Sequence, residues 1–199
     1  MSPRDNPPNT DFRRFYERGD LPIRAVHVSA GIRVGWKVRL NSALLDYQFY
    51  LPVFFTGLRE VEEPYQSLAL YGTQDLLRER SDRILPVIPQ LILPIKDALE
   101  TRDPVVIRRI LLVLQDLTRS TPMAGEALVP YYRQILPILN MFKDKNRNLG
   151  DQMDFGQRRQ DCLGDLIQET LELLEIHGGP SAYINIRYIF PSYQSVVFA

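Results

Sequence analysis

The sequence predicts an all-α fold, a helical-repeat solenoid of about three helix pairs, with a small β-hairpin near the N-terminus and an extended segment at the C-terminus. Three observations carry this. A Leu-Pro-aliphatic phrase recurs as Leu51-Pro52-Val53, Leu93-Pro94-Ile95 and Leu136-Pro137-Ile138, with intervals of 42 and 43 residues between the prolines. Ile84 to Thr118 reads as two antiparallel helices joined by the tight turn Glu100-Thr101-Arg102-Asp103, because Asp103 followed by Pro104 is an N-cap with proline at the first helical position. The apolar period changes from that of a helix to two over Ala25–Leu40 and again over Tyr183–Phe190.

Residues 1–11 are rich in proline, asparagine and charge, and are expected to form a disordered tail. Residues 12–24 alternate aromatic side chains with arginine and are expected to form an extended arm that either tucks Phe12 and Phe15 against the body or meets a partner. A single helical-repeat domain then covers residues 25–199. In its hairpin, 25–40, Ser29-Ala30-Gly31 forms the turn, and Trp36, the only tryptophan, anchors the ribbon on the body or projects outward, the anchor being the expected role. Arg33, Lys37 and Arg39 alternate with the apolar set and give the opposite face a positive charge.

The helical body starts near Leu44. Each proline phrase sits on the first helix of a pair and is followed by a second: Pro64–Arg78, Pro104–Thr118, and a long helix ending at Ile176. In the second pair Ile84–Leu99 is read as one buried helix with proline-kinked ends, and its partner turns Val106, Ile110, Val113, Leu114 and Leu117 inward, with Arg108 and Arg109 on the other face. In the last helix Leu163, Leu166, Ile167, Thr170, Leu171 and Leu174 share one face, and His177-Gly178-Gly179-Pro180 ends it, glycine supplying a left-handed cap. The spacing falls in the range of HEAT and armadillo units, about 40–47 residues. The third pair carries a longer polar loop, Lys143–Asp154, in which Lys143, Lys145 and Arg147 form a basic cluster. The segment 183–199 is expected to cover the last unit.

Twenty-four basic and 24 acidic residues give a formal charge of zero, so the basic footprint of a nucleic-acid binder is missing and any charged partner must be met by a local patch. A lone cysteine, Cys162, excludes an internal disulfide and fits a reducing compartment. No apolar run approaches the about 18 residues of a membrane span and the N-terminus has no signal core, so a cytosolic protein is expected. His27 and His177 have no ligand spacing around them, phosphate loops and a nucleophile elbow are missing, and Cys162 has no activating base indicated. Neither an enzyme nor a cofactor or metal is expected.

Several long phrases are more specific than any repeat class. FRRFYERGDLPI (12–23), GWKV (35–38), LDYQFYLPVFFTGL (45–58), ILPVIPQLILPIKDAL (84–99), ALVPYYRQILPILNMFKDKN (127–146), GDLIQETLELLE (164–175) and INIRYIFPSY (184–193) together resemble the parkin co-regulated protein family, in order from Phe12 to the C-terminus. The resemblance implies a non-catalytic helical-repeat protein of motile cilia and flagella. It would sit at the inner junction of the axonemal doublet microtubule, bridging B-tubule to A-tubule by binding tubulin and a small β-sandwich junction protein. It also implies a small adaptor protein as a partner in animals. The alternative is a soluble helical-repeat adaptor that binds a small partner outside the axoneme. Since tubulin's exposed surface is acidic, the expected protein-binding residues are Arg13, Arg14 and Arg18 in the arm, Arg33, Trp36, Lys37 and Arg39 in the hairpin, and Lys143, Lys145 and Arg147 in the loop.

Overall fold

The computed structural model describes residues 2–29, 31–42, 45–79, 81–143 and 163–197. Most of them are helical, with one antiparallel pair of strands.

The first element corrects the expectation of an extended arm. Asp11–Glu17 is a helix, α1, whose N-cap Thr10 accepts a hydrogen bond from the Arg13 amide through Oγ1 at 3.1 Å. Phe12, Phe15 and Tyr16 fall at helical spacing, and Phe12 is fully buried, edge-on to Phe54 at 5.1 Å between ring centres. Residues before it are not a free tail either. The Arg4 amide donates to the Thr101 carbonyl at 2.8 Å, and Arg59 reaches Asn6 Oδ1, the Pro7 carbonyl and Asn9 Oδ1. A segment too polar to fold alone is ordered because the body supplies partners for its backbone.

Strands β1 (Ile23–Val28) and β2 (Gly31–Trp36) form the hairpin, Ile23 opposite Trp36 and Val28 opposite Gly31. Gly31 takes a φ of 115°, open only to glycine at low cost.

Helices α2 (Tyr47–Thr56) and α3 (Tyr65–Glu79) follow, separated by a 3-10 turn at Gly57–Arg59. The buried helix expected from Ile84 begins later. Two 3-10 turns, Ser81–Arg83 and Leu85–Val87, precede α4 (Ile88–Glu100), since Pro86 and Pro89 withhold the donors that a continuous helix needs. The α4–α5 turn is as expected: Asp103 caps α5 (Pro104–Ser120) by accepting from the Val105 amide at 2.9 Å, with Arg102 at a φ of 56° reversing the chain. Next come α6 (Ala124–Leu128), a 3-10 turn at Val129–Tyr131, α7 (Tyr132–Asn140), α8 (Leu163–His177) and α9 (Ala182–Ile189). Gly179, with a φ of 71°, closes α8 as expected.

Helix α9 is the second correction, since this segment reads as extended. The alternation Ile184, Ile186, Tyr188 suggests a strand, yet Ala182, Ile186 and Phe190 are also spaced by four, and these are the fully buried residues. Packing on α7 and α8 selects the helical period.

The helices pack in two rows. Contacts run successively from α2 to α4 to α7 to α9 on one side and from α3 to α5 to α8 on the other, with α2 on α3, α4 on α5 and α8 on α9 between rows. Pro52, Pro94 and Pro137 lie inside α2, α4 and α7. An interior proline costs a helix about 3 kcal/mol. Burial of Ile88, Leu91, Ile92, Ile95 and Leu99 on α4, each contributing about 1.5–3 kcal/mol, outweighs it. Arg109, expected on the outer face of α5, points inward instead. Its Nη1 donates to the carbonyls of Leu58 and Glu60 at 2.7 and 2.6 Å, and Nη2 to Gln66 Oε1 at 2.9 Å.

Candidate protein-interaction surface

The hairpin divides its side chains between two faces because alternate residues of a strand point oppositely. Ile23, Ala25 and His27 share a face with their cross-strand partners Trp36, Val34 and Ile32. This face meets the body. The Trp36 ring stacks on Phe54 at 5.6 Å with 20° between planes, and its Nε1 donates to Asp75 Oδ2 on α3 at 2.9 Å. Trp36 is therefore the anchor that holds the ribbon down, with its indole turned to the protein interior.

The opposite face carries Arg24, Val26, Val28 and Arg33, with Gly31 and Gly35 between them. A Cβ at Gly35 would lie 2.7 Å from Val26 Cγ2 and 3.0 Å from Arg24 Cγ, so glycine there lets those side chains fold flat across the partner strand. Lys37 and Arg39 come just after the last strand residue, where the Lys37 amide donates to the Pro22 carbonyl at 2.8 Å. All four cations, Arg24, Arg33, Lys37 and Arg39, are exposed, and among the described residues no ion pair ties any of them. Arg24 was not singled out from the sequence. Its signal was its register, two residues before Val26 on the face away from Ile23.

The arm arginines divide. Arg13 is committed internally: its guanidinium meets Glu60 at 2.6 Å and Glu62 at 2.9 Å and lies 4.1 Å over the Tyr65 ring, leaving the side chain 13% exposed. Burial pulls its pKa down, but the two carboxylates outweigh that and hold it above its ordinary value. Arg13 is thus a bolt between α1 and the loop before α3. Arg14 pairs with Asp11 at 2.8 Å and Arg18 with Asp20 at 3.2 Å, and both keep more than 60% of their side chains exposed. Such surface pairs hold loosely, contributing about 0–1 kcal/mol, so these two stay open to a competing carboxylate. Lys143 donates to Ser192 Oγ on the C-terminal segment. Lys145 and Arg147 lie outside the described residues, as does Cys162.

The structure thus keeps Arg33 on the outer hairpin face, adds Arg24 to it, and leaves Lys37 and Arg39 exposed just past the end of the strand. It does not bring Arg13 to any open surface. Chemically, the hairpin face sets Arg24 and Arg33 around apolar Val26, with Val28 at the turn end, and suits a protein surface rich in carboxylates. Among the described residues no group of His, Cys, Asp and Glu has the geometry to hold a metal, and no helix is long and apolar enough to cross a membrane.

A family model described as Parkin co-regulated protein matches residues 10–195. The mouse Parkin coregulated gene protein homolog is 53% identical over 186 residues, which cover 94% of this chain and 76% of the mouse protein. The matched span takes in α1, the hairpin and every later helix.

Proposed function

This chain belongs to the parkin co-regulated protein family, and on that premise we propose that it is a non-catalytic structural protein of the ciliary and flagellar doublet microtubule. In this reading it bridges B-tubule to A-tubule at the inner junction, binding tubulin on one surface and a small β-sandwich junction protein on another. The frame is a HEAT/armadillo-like solenoid of about three helix pairs. The two rows of helices and the recurrence of an interior proline in α2, α4 and α7 support that frame.

The observation that carries the reading is the cationic outer face of the hairpin, whose arginines make no ion pair among the described residues. Tubulin's outer surface is acidic, and Arg24 and Arg33 on a ribbon anchored by Trp36, with Lys37 and Arg39 exposed just beyond it, present a cationic surface to it. Repetition along a filament multiplies modest contacts of this kind into a durable seam.

Co-pelleting with microtubules tests it. The chain is expected to pellet at low salt, to be released as ionic strength rises, and to lose affinity by about tenfold in the double variant R33E/K37E. Failure to pellet at low salt would count against direct tubulin binding. A tagged chain that stays out of flagella would sink the axonemal reading and favour a soluble adaptor that binds a small partner elsewhere.

A further inference from the structure

Among the described residues the two most exposed large hydrophobic side chains are Tyr188, at 74%, and Ile184, at 71%. They are four residues apart on α9, so they form one stripe, opposite the buried stripe of Ala182, Ile186 and Phe190. Helix α9 ends the row α2, α4, α7, α9. It packs on α7 and α8, and among the described residues no further helix makes comparable contact with it. A terminal unit of a stacked array ordinarily shows a polar outer face, and this one shows isoleucine and tyrosine.

Cations flank the stripe on both sides. On the α7 side, where Asn140 Nδ2 donates to the Ile189 carbonyl at 3.1 Å, the Arg133 guanidinium lies 5.2 Å from the centre of the Tyr188 ring. On the side of the C-terminal segment, where Tyr183 meets the Tyr193 ring, Arg187 Nη1 donates to Tyr183 Oη at 2.9 Å. Neither arginine is ion-paired among the described residues.

We infer that the outer face of α9 docks an acidic amphipathic helix of a partner protein, which occupies the next position in the row. Each place in that row is filled by a helix packed on a helix, so the stripe fits apolar residues spaced by three or four on a helical partner. The flanking arginines select aspartate and glutamate beside those residues. A second copy stacked end to end is disfavoured: the far end of the row is covered by α1, whose Asp11 is already paired with Arg14, as Asp20 just after it is with Arg18, so these carboxylates are engaged and not open to Arg133 and Arg187. This site is distinct from the hairpin and does not depend on tubulin binding.

The test uses the full chain and two synthetic helical peptides that share leucines at positions i and i+4, one flanked by glutamates and one by lysines, with binding followed by fluorescence anisotropy. The glutamate peptide is expected to bind at least about tenfold more tightly than the lysine peptide, and I184S/Y188S to weaken it by about tenfold. R133E/R187E should reverse the preference between peptides, which a variant that merely misfolds would not do. The hairpin variant R33E/K37E should bind the glutamate peptide as the parent does, which separates this site from the tubulin reading. Equal binding of both peptides, no binding of the acidic one, or concentration-dependent self-association abolished by I184S/Y188S would each overturn the proposal.

Discussion

Arg109 and Glu175 are charged side chains taken almost wholly out of solvent, and each holds together chain segments far apart in sequence. Removing Arg109 strands the carbonyls of Leu58 and Glu60 away from water. Arg109→Ala is therefore expected to lower the unfolding free energy by about 2–4 kcal/mol in urea titration, whereas Arg108→Ala, at a half-buried position with no such bonds among the described residues, should stay within about 0.5 kcal/mol. Glu175 accepts from Tyr193 Oη at 2.7 Å, from Ser195 Oγ and from the Val196 amide at 3.0 Å, which pins the C-terminal segment to α8. Burial pushes its pKa up, but those hydrogen bonds outweigh burial and hold it below the ordinary value. A carboxyl lower in the folded than in the unfolded chain contributes its stability in full above the unfolded value, about 4.3, and loses it as pH falls through the folded one. Urea midpoints measured from pH 7 to pH 3 should thus decline on the acid side, and Glu175→Gln should flatten that limb. The same carboxylate keeps the Tyr193 phenol well above its usual range, after burial, which is the larger cause.

Among the elements, α2 and α3 approach each other most demandingly at Gly72, where a Cβ would lie 2.2 Å from Phe54 Cε1. Phe54 has little room to give way, with Trp36 stacked on it and Phe12 edge-on to it. Gly72→Ala gains about 1 kcal/mol of helix propensity, but overpacking at about 1–3 kcal/mol is the larger effect. A lower melting temperature is therefore expected, and a higher one would show that the ring can shift. Elements with long periodic stretches and explicit caps were legible in the sequence: α5 from Asp103-Pro104, α8 from its apolar face and glycine stop, the hairpin from its alternation. The two short helices were not. In α9 the residues Ile184, Ile186 and Tyr188 satisfy a period of two while Ala182, Ile186 and Phe190 satisfy a period of four, and only the α7 and α8 surfaces choose between them. In α1 the seven residues Asp11–Glu17 carry too few apolar positions to fix a period, and it is Phe54 and Tyr65 that receive Phe12 and Tyr16.

At the scale of the whole molecule the recurring proline phrase located the first helix of each pair, but it said nothing of which charges stay free. Of the arm arginines, Arg13 could not be told from Arg14 by sequence, because its partners Glu60 and Glu62 lie nearly fifty residues away. For the same reason Arg109 read as an outer-face residue. Arg24 went unnoticed because it precedes the alternating stretch that drew attention to Arg33, Lys37 and Arg39. The free cations could be sorted from the committed ones only when the helices were in place.

The single tryptophan lies beneath the cationic strip, between it and the body, and so serves as an internal optical gauge of that joint. A ligand that settles on the outer face of the ribbon leaves the indole against Phe54 and Asp75, and emission should hold its wavelength on binding. One that peels the ribbon from α3 must wet the ring and shift emission to the red. Steady-state fluorescence of the unlabelled protein, excited at the indole band in the presence of a tryptophan-free probe such as a poly-glutamate peptide, can therefore distinguish a surface that is merely covered from one that is prised open.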